Sequence, residues 1–305
     1  MSDTYGLFAG TGALPHRVAE ALSQQNAPFV SFGFEHSTLH GAQEHLVFRL
    51  ETLGTLLEAL KSRGVQTICL AGGAVRPDVD LTQVDAATAP LLGTLASELS
   101  QGDDTTLRAI VSLFESQGFR IVPAHDLVPD LLPKSGVLTH TSPSEADLKD
   151  IERAKSVHAH LGAADVGQAC VVAQGQVLAV EALLGTDWML RSLLQRSQAP
   201  TNAPSTGSFW DDPLGTAADM MGGPVVAGTS QERHPDLPKG GVLYKASKPG
   251  QSLAADLATI GPSTVQNVKD LELNGIVLGP MTQILDREAV IAACNAAGLF
   301  LEVRL

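Results

Sequence analysis

A short apolar run that breaks into glycines and then into an amphipathic stretch is the feature that most restricts how this chain folds. Tyr5 to Ala9 (YGLFA) is followed at once by Gly10-Thr11-Gly12-Ala13-Leu14-Pro15. Pro15 stands in the first turn of a helix expected through His16 to Gln25, where its missing N–H has no partner to lose. The rhythm repeats. Ala27 to Phe34 reads as a second strand, and Thr52 to Arg63 carries Leu53, Leu56, Leu57 and Leu60 at helical spacing before Gly64. Thr67 to Leu70 is a third strand, capped by Ala71-Gly72-Gly73; Asp104 to Gln117 is a helix stopped by Gly118, and Phe119 to Val122 a further strand. Repeated strand–glycine–helix units predict an α/β fold with a parallel, Rossmann-like sheet.

The proline-rich stretch Pro123 to Pro133 predicts the boundary between a Rossmann-like N-terminal domain, 1–133, and a second α/β C-terminal domain, 134–305. In the second part a helix is expected over Asp147 to Leu161. Ala169 to Ala173 and Gln176 to Val180 read as a hairpin turning at Gly175. A helix is expected over Gly185 to Arg196, ordered segments over Gly241 to Lys245, Thr264 to Leu273 and Gly275 to Leu278, and a helix over Asp286 to Ala297. Between them 197–240 is rich in Pro, Gly, Ser, Thr and Asp and reads as a loop or insertion.

Composition removes several classes of function. With 305 residues, 44% hydrophobic and 17% charged, the chain is globular rather than disordered. Its formal charge of −13 argues against a general nucleic-acid binder, which needs a basic surface to displace counterions. No apolar run approaches the ~20 residues of a membrane span, and the first residues carry no basic segment leading into an apolar one. Cys69, Cys170 and Cys294 lie far apart in apolar contexts, as buried thiols of a reducing compartment do. A cytoplasmic protein is expected.

Three regions carry candidate chemistry. Gly10, Thr11 and Gly12 lie between a strand and a helix, where backbone N–H groups favour a phosphate; a tight turn that merely needs small residues is the alternative. Gly72 and Gly73 with Arg76 form a second glycine loop, which shares a crevice with the first if their strands are neighbours; Arg76 suits a phosphate or a surface ion pair with Asp78 or Asp80. The second region runs from Asp165-Val166-Gly167-Gln168 to Glu181 and Thr186-Asp187. Glu181 and Asp187 are candidates to share a Mg²⁺, which prefers oxygen ligands, while Thr186 or Asp187 as a helix cap is the plainer expectation. The third spans Lys245, Lys248, Gln251, Asp256 and Thr259, ending at Gly261-Pro262-Ser263-Thr264. Its lysines suit anionic oxygens as point charges, and Asp256 suits a metal ligand or a base for water. The nine histidines show no metal spacing; His158 and His160, two apart on a helix, point in different directions.

Strings spread over the chain resemble the LpxI family, the UDP-2,3-diacylglucosamine pyrophosphatases of lipid A biosynthesis. They are GLFAGTGALP (6–15), GDDTTLRAI (102–110), GVLT (136–139), LGAADVGQACVVAQGQVLAVEALLGTDWML (161–190), GGVLYKASKPGQ (240–251), IGPSTV (260–265) and LDREAVIAACNAAGLF (285–300). The resemblance implies two domains holding the substrate between them. It also implies Mg²⁺-dependent attack of water on the α-phosphorus of UDP-2,3-diacylglucosamine, giving UMP and 2,3-diacylglucosamine 1-phosphate. Asp256, Lys245 and Lys248 are then the catalytic candidates, and Asp256, Glu181 and Asp187 the metal ligands. Gly10, Thr11, Gly12, Gly72, Gly73, Arg76, Gln168, Gln251, Thr259 and Thr264 would bind the substrate. An amphiphilic UDP-sugar lipid as substrate implies transient contact with the inner-membrane surface and no nucleic acid.

Against the family pattern, Ser252 replaces an Asp, Ala254 an Arg, Ala258 a Pro and His140 a Lys. These departures motivate an alternative, a weakened homologue that binds the nucleotide-sugar or lipid without efficient turnover. A dinucleotide-dependent oxidoreductase is disfavoured, because His16 and Arg17 stand where the fingerprint's third glycine belongs.

Overall fold

The computed structural model describes residues 3–35, 37, 39, 42, 44–73, 79–91, 103–196, 231–248 and 257–305. Strands β1 (Thr4–Ala9), β2 (Phe29–Gly33), β3 (His45–Val47), β4 (Val65–Ala71) and β5 (Arg120–Val122) form one sheet in the order β3-β2-β1-β4-β5. Every pair in it is parallel. Helices α1 (Leu14–Gln24), α2 (Leu53–Ser62) and α3 (Asp103–Ser116) lie along the connections.

Alternation along the strands sorts the side chains onto two buried faces, as a covered parallel sheet requires. Leu7 and Ala9 of β1 and Cys69 and Ala71 of β4 meet Val18, Ala19 and Leu22 of α1. Phe8, Ile68 and Leu70 point the other way, into Phe32, Leu56, Leu57, Leu60 and Phe114. That second face is aromatic, with the Phe8 and Phe32 rings 5.8 Å apart at 63° and Phe32 and Phe114 6.1 Å apart at 53°, arrangements the ring quadrupoles favour.

The parallel sheet meets the expectation, with differences at its margins. β3 is absent from the sequence reading because three residues are too few to display a period. The strand expected third is fourth in the chain, and it does lie beside β1. The proline-rich stretch is structured: Ala124–Leu127 forms α4, and Leu127, Val128 and Leu131 are buried on the α1 face of the first sheet.

The second sheet has the order β6-β15-β13-β11-β7-β8. Its strands are β6 (Gly136–Val137), β7 (Ala169–Ala173), β8 (Gln176–Val180), β11 (Val242–Lys245), β13 (Gly275–Leu278) and β15 (Phe300–Val303). β11, β13 and β15 run parallel, while β7 is antiparallel to both β11 and β8. One face packs on α5 (Glu145–Ala163) through Ile151, Ala154, Cys170, Val172, Val242, Tyr244 and Val277. The other receives α6 (Gly185–Arg191), α7 (Pro262–Asp270) and α8 (Arg287–Ala297), with Val171, Leu243, Ile276, Leu278 and Leu301 pointing towards them.

The hairpin β7–β8 turns at Gln174 and Gly175, both at positive φ (51° and 76°), the hand that matches strand twist. The helix expected over Gly185 to Arg196 ends at Arg191, and Leu194–Arg196 instead form β9, paired antiparallel with β10 (Gln231–Arg233). Most of the expected 197–240 loop, residues 197–230, lies outside the described residues. A last ribbon joins β12 (Ala258–Ile260) in parallel with β14 (Thr282–Ile284). Among the described residues no helix is long and apolar enough to cross a membrane.

Two predictions test this packing. Cys69, Cys170 and Cys294 are fully buried, and burial pushes their thiols up to about 12, 12 and 11. Native protein at pH 8 should release no colour with a thiol-disulfide reagent, and denatured protein three equivalents, one per cysteine. Gly54 sits in the first turn of α2, where Ala would ordinarily gain about 1 kcal/mol. Here a Cβ would lie 2.2 Å from the Ala87 carbonyl carbon, and the Gly54 N–H donates to Thr88 Oγ1 at 2.7 Å. Gly54→Ala should therefore reverse sign and destabilise by about 1–3 kcal/mol, read as a lower urea midpoint.

Candidate active site

The switch point of the first sheet falls between β1 and β4, and both glycine loops emerge there. They clasp each other. Gly10 N–H donates to Ala71 O (2.8 Å), Thr11 N–H to Gly73 O (2.7 Å) and Gly73 N–H to Thr11 O (3.0 Å). A Cβ at Gly10 would lie 2.4 Å from Gly73 O, and one at Gly72, whose φ is +86°, 2.5 Å from Thr11 O. The glycines are thus required by the approach of two backbones. The N–H groups of Gly10 and Thr11 are occupied in that clasp, which leaves Gly12, Ala13 and the start of α1 as the part of the loop facing the second domain.

Two connected cavities lie between the domains, of about 290 Å³ and 1040 Å³. The smaller is walled by Thr11, Leu14, Leu70, Gly72, Gly73 and Ala124 on one side and by Gln168, Leu257 and Gln283 on the other. The larger extends past Arg17 and Asp130 to Leu184, Gly185, Thr186, Asp187, Ser263 and Thr264. Gly12, Ala13, Lys245, Thr259 and Leu285 line both and so mark the junction.

Lys245 ends β11. Alternation puts it on the face of Leu243, towards α6 and α7, so its aliphatic stem follows the core and its ammonium emerges at the junction. The side chain is only 8% exposed. Lys245 Nζ donates to Thr186 Oγ1, Thr186 Oγ1 donates to Glu181 Oε2 at 2.8 Å, and Lys245 Nζ lies 3.9 Å from Glu181 Oε2. Glu181, 12% exposed, follows β8 and is anchored by its N–H to Ala169 O (2.8 Å). Opposite, a Cβ at Gly167 would lie 2.1 Å from Glu181 O, the physical reason for glycine in the DVGQ string.

The other candidates divide. Asp187 lines the larger cavity, and its Oδ1 accepts from Asn267 Nδ2 at 3.0 Å, tying α6 to α7. Lys248 pairs with Asp165, so the two lysines are held by different carboxylates. Gln168 lends its carbonyl to Ala246 N–H (3.0 Å). Thr259 Oγ1 lies 2.9 Å from Leu257 O and 3.4 Å from Gln283 Oε1. Thr264 is buried, its Oγ1 accepting from Gly261 N–H at 3.4 Å where α7 starts beside the larger cavity. Arg76, Gln251 and Asp256, with Ser252 and Ala254, lie outside the described residues. Ala258 is a buried strand residue whose N–H donates to Ser247 Oγ (3.1 Å), a bond that proline lacks.

A shared Mg²⁺ on Glu181 and Asp187 does not fit this arrangement. Glu181 is committed to Thr186 and Lys245, Asp187 to Asn267. Among the described residues no three His, Cys, Asp or Glu side chains gather to hold a metal.

Residues 4–131 match the LpxI N-terminal domain, and residues 134–206 and 220–302 the LpxI C-terminal domain. The chain belongs to the LpxI family. It is 34% identical over 303 residues to the UDP-2,3-diacylglucosamine pyrophosphatase LpxI of Caulobacter vibrioides (strain ATCC 19089 / CIP 103742 / CB 15), covering 97% of this chain and 95% of that protein.

Sequence reasoning missed the role of Thr186, which reads as a helix cap in GTD but bridges the buried lysine and glutamate. It also missed Gln283, 2% exposed in β14, whose polar side chain between Thr282 and Ile284 was the one available signal. Thr186→Val keeps shape but leaves two buried charged groups without their shared hydroxyl. A loss of about 1–3 kcal/mol is expected in urea unfolding.

Proposed function

We propose that this LpxI-family protein hydrolyses the pyrophosphate bond of UDP-2,3-diacylglucosamine, as the name of its Caulobacter relative describes. The observation that carries the reading is the buried Lys245 ammonium at the junction of the two cavities, facing the Gly12–Ala13 wall. Phosphoryl transfer depends on positioning and charge neutralisation. A largely buried, fixed cation at the cleft supplies both to a diphosphate, and the absence of a nucleophile motif in the sequence fits direct attack by water.

In this reading the water oxygen bonds to the α-phosphorus and the bond from that phosphorus to the bridging oxygen breaks. The electron pair leaves with the acylated sugar 1-phosphate, and UMP retains the incoming oxygen while the water gives up a proton. Lys245 stabilises charge on the phosphoryl oxygens, and Thr186 and Glu181 hold Lys245 in place. Asp256 is the proposed group that orients or deprotonates the water. Among the described residues no set of ligands for the Mg²⁺ that the resemblance implies is gathered. Leu183, Leu184 and Trp188 are exposed, and Leu184 borders the larger cavity. They suit transient contact with the membrane surface from which a diacylated substrate must come.

Incubation with UDP-2,3-diacylglucosamine in ¹⁸O-water tests the reading. UMP and the acylated sugar 1-phosphate should form with the label in UMP; label in the sugar phosphate would move the attack to the β-phosphorus. Lys245→Ala should lower kcat/KM by about 10²–10³-fold, and Asp256→Ala by at least as much. Substrate binding without turnover by the unaltered protein would favour the weakened homologue, and an EDTA run reads the dependence on Mg²⁺.

A further inference from the structure

Helix α5 presents an inward stripe of Asp147, Asp150, Ile151, Ala154 and His158 to the second sheet. Two of its polar members, Asp150 and His158, hold opposite ends of that sheet. Asp150 accepts from the N–H groups of Gln174 (2.9 Å) and Gly175 (2.7 Å), fixing the β7–β8 turn. Eight residues on, His158 Nε2 lies 2.8 Å from Ala246 O, just past the end of β11.

The His158 contact is built rather than incidental. The ring is 5% exposed and tilts over Tyr244 with centroids 5.3 Å apart. A carbonyl oxygen only accepts, so Nε2 carries the proton. Burial holds the imidazole pKa below its ordinary value, so near neutral pH it is the uncharged ring that donates.

Ala246 follows Lys245 directly, and its own N–H goes to Gln168 O (3.0 Å). Lys245 O accepts from Gly279 N–H (2.8 Å) and Thr282 Oγ1 (3.2 Å). The peptide unit between Ala246 and Ser247 is therefore pinned at its oxygen by His158, at the point where the chain leaves the sheet towards Lys248.

We propose that His158 is a positioning residue of the reaction, donating through Nε2 to Ala246 O so that the segment carrying Lys245 and Lys248 keeps its direction at the cleft. The inference rests on the hydrolase reading given above, and the test separates the two.

His158→Leu fills similar space without a donor, whereas His158→Gln offers an amide N–H near the position of Nε2. For His158→Leu, kcat should fall about 10- to 100-fold with KM changed by less than about threefold, because a small displacement of a catalytic group acts on the transition state. His158→Gln should recover most of the loss. Hydrogen exchange at the Ala246 and Ser247 amides, read without substrate, should accelerate in His158→Leu and return towards the unaltered rate in His158→Gln. Unchanged kcat in a folded His158→Leu variant, or equal losses in both variants, would overturn the proposal. If the unaltered protein shows no turnover, the hydrolase reading fails. The exchange measurement then decides alone: faster exchange confined to His158→Leu supports the positioning role, and identical exchange in all three proteins overturns it.

Discussion

A lysine ammonium can be carried into a protein interior only if something there answers its charge, and the second domain is arranged around that demand. Lys245 ends a central strand, so its stem is covered by Leu243 and its neighbours, and its charge meets Thr186 and Glu181. Glu181 must then leave β8 at the right height, which closes the gap at Gly167, and Thr186 must open α6 with its hydroxyl turned inward. Removing one member of a buried pair typically costs 3–5 kcal/mol, because the other charge is stranded. The hairpin β7–β8, helix α6 and strand β11 are thereby coupled through one polar knot at the mouth of the cleft.

The first domain meets this knot with backbone rather than charge. Its glycine loops are locked by three main-chain hydrogen bonds and approach too closely for side chains. A wall of this kind is smooth and fixed. At the junction itself the polar groups are Glu181, Thr186 and Lys245 of the second domain, while Arg17, Glu20 and Asp130 of the first line the larger cavity.

Much of the architecture was legible because burial imposes periods. Leu7–Phe8–Ala9 and Ile68 to Ala71 alternate between two faces, the leucines of α2 recur at helical spacing, and Gly64, Gly118 and Gly175 mark real turns at positive φ. What escaped was short or three-dimensional. β3 and β9 have three residues each, and Thr186 and His158 have the sequence surroundings of a cap and an ordinary helical position. Their roles come from partners 59 and 88 residues away, separations at which a single sequence carries no signal. The carboxylates of the second region were legible by residue type, and the structure places Glu181 beside Lys245 and Asp187 beside Asn267. Charge alone could not say that Glu181 faces a lysine and Asp187 an asparagine.

The brace formed by α5 also fixes something no single residue records, which is length. One residue inserted between Asp150 and His158 would advance the histidine about 1.5 Å and swing it about 100° around the helix axis. It would then leave Ala246 while Asp150 still gripped the hairpin. Segments at the surface can drift in length over time, but this one is a measured span between two anchors, tolerant of changed side chains on its outer face and intolerant of a changed count.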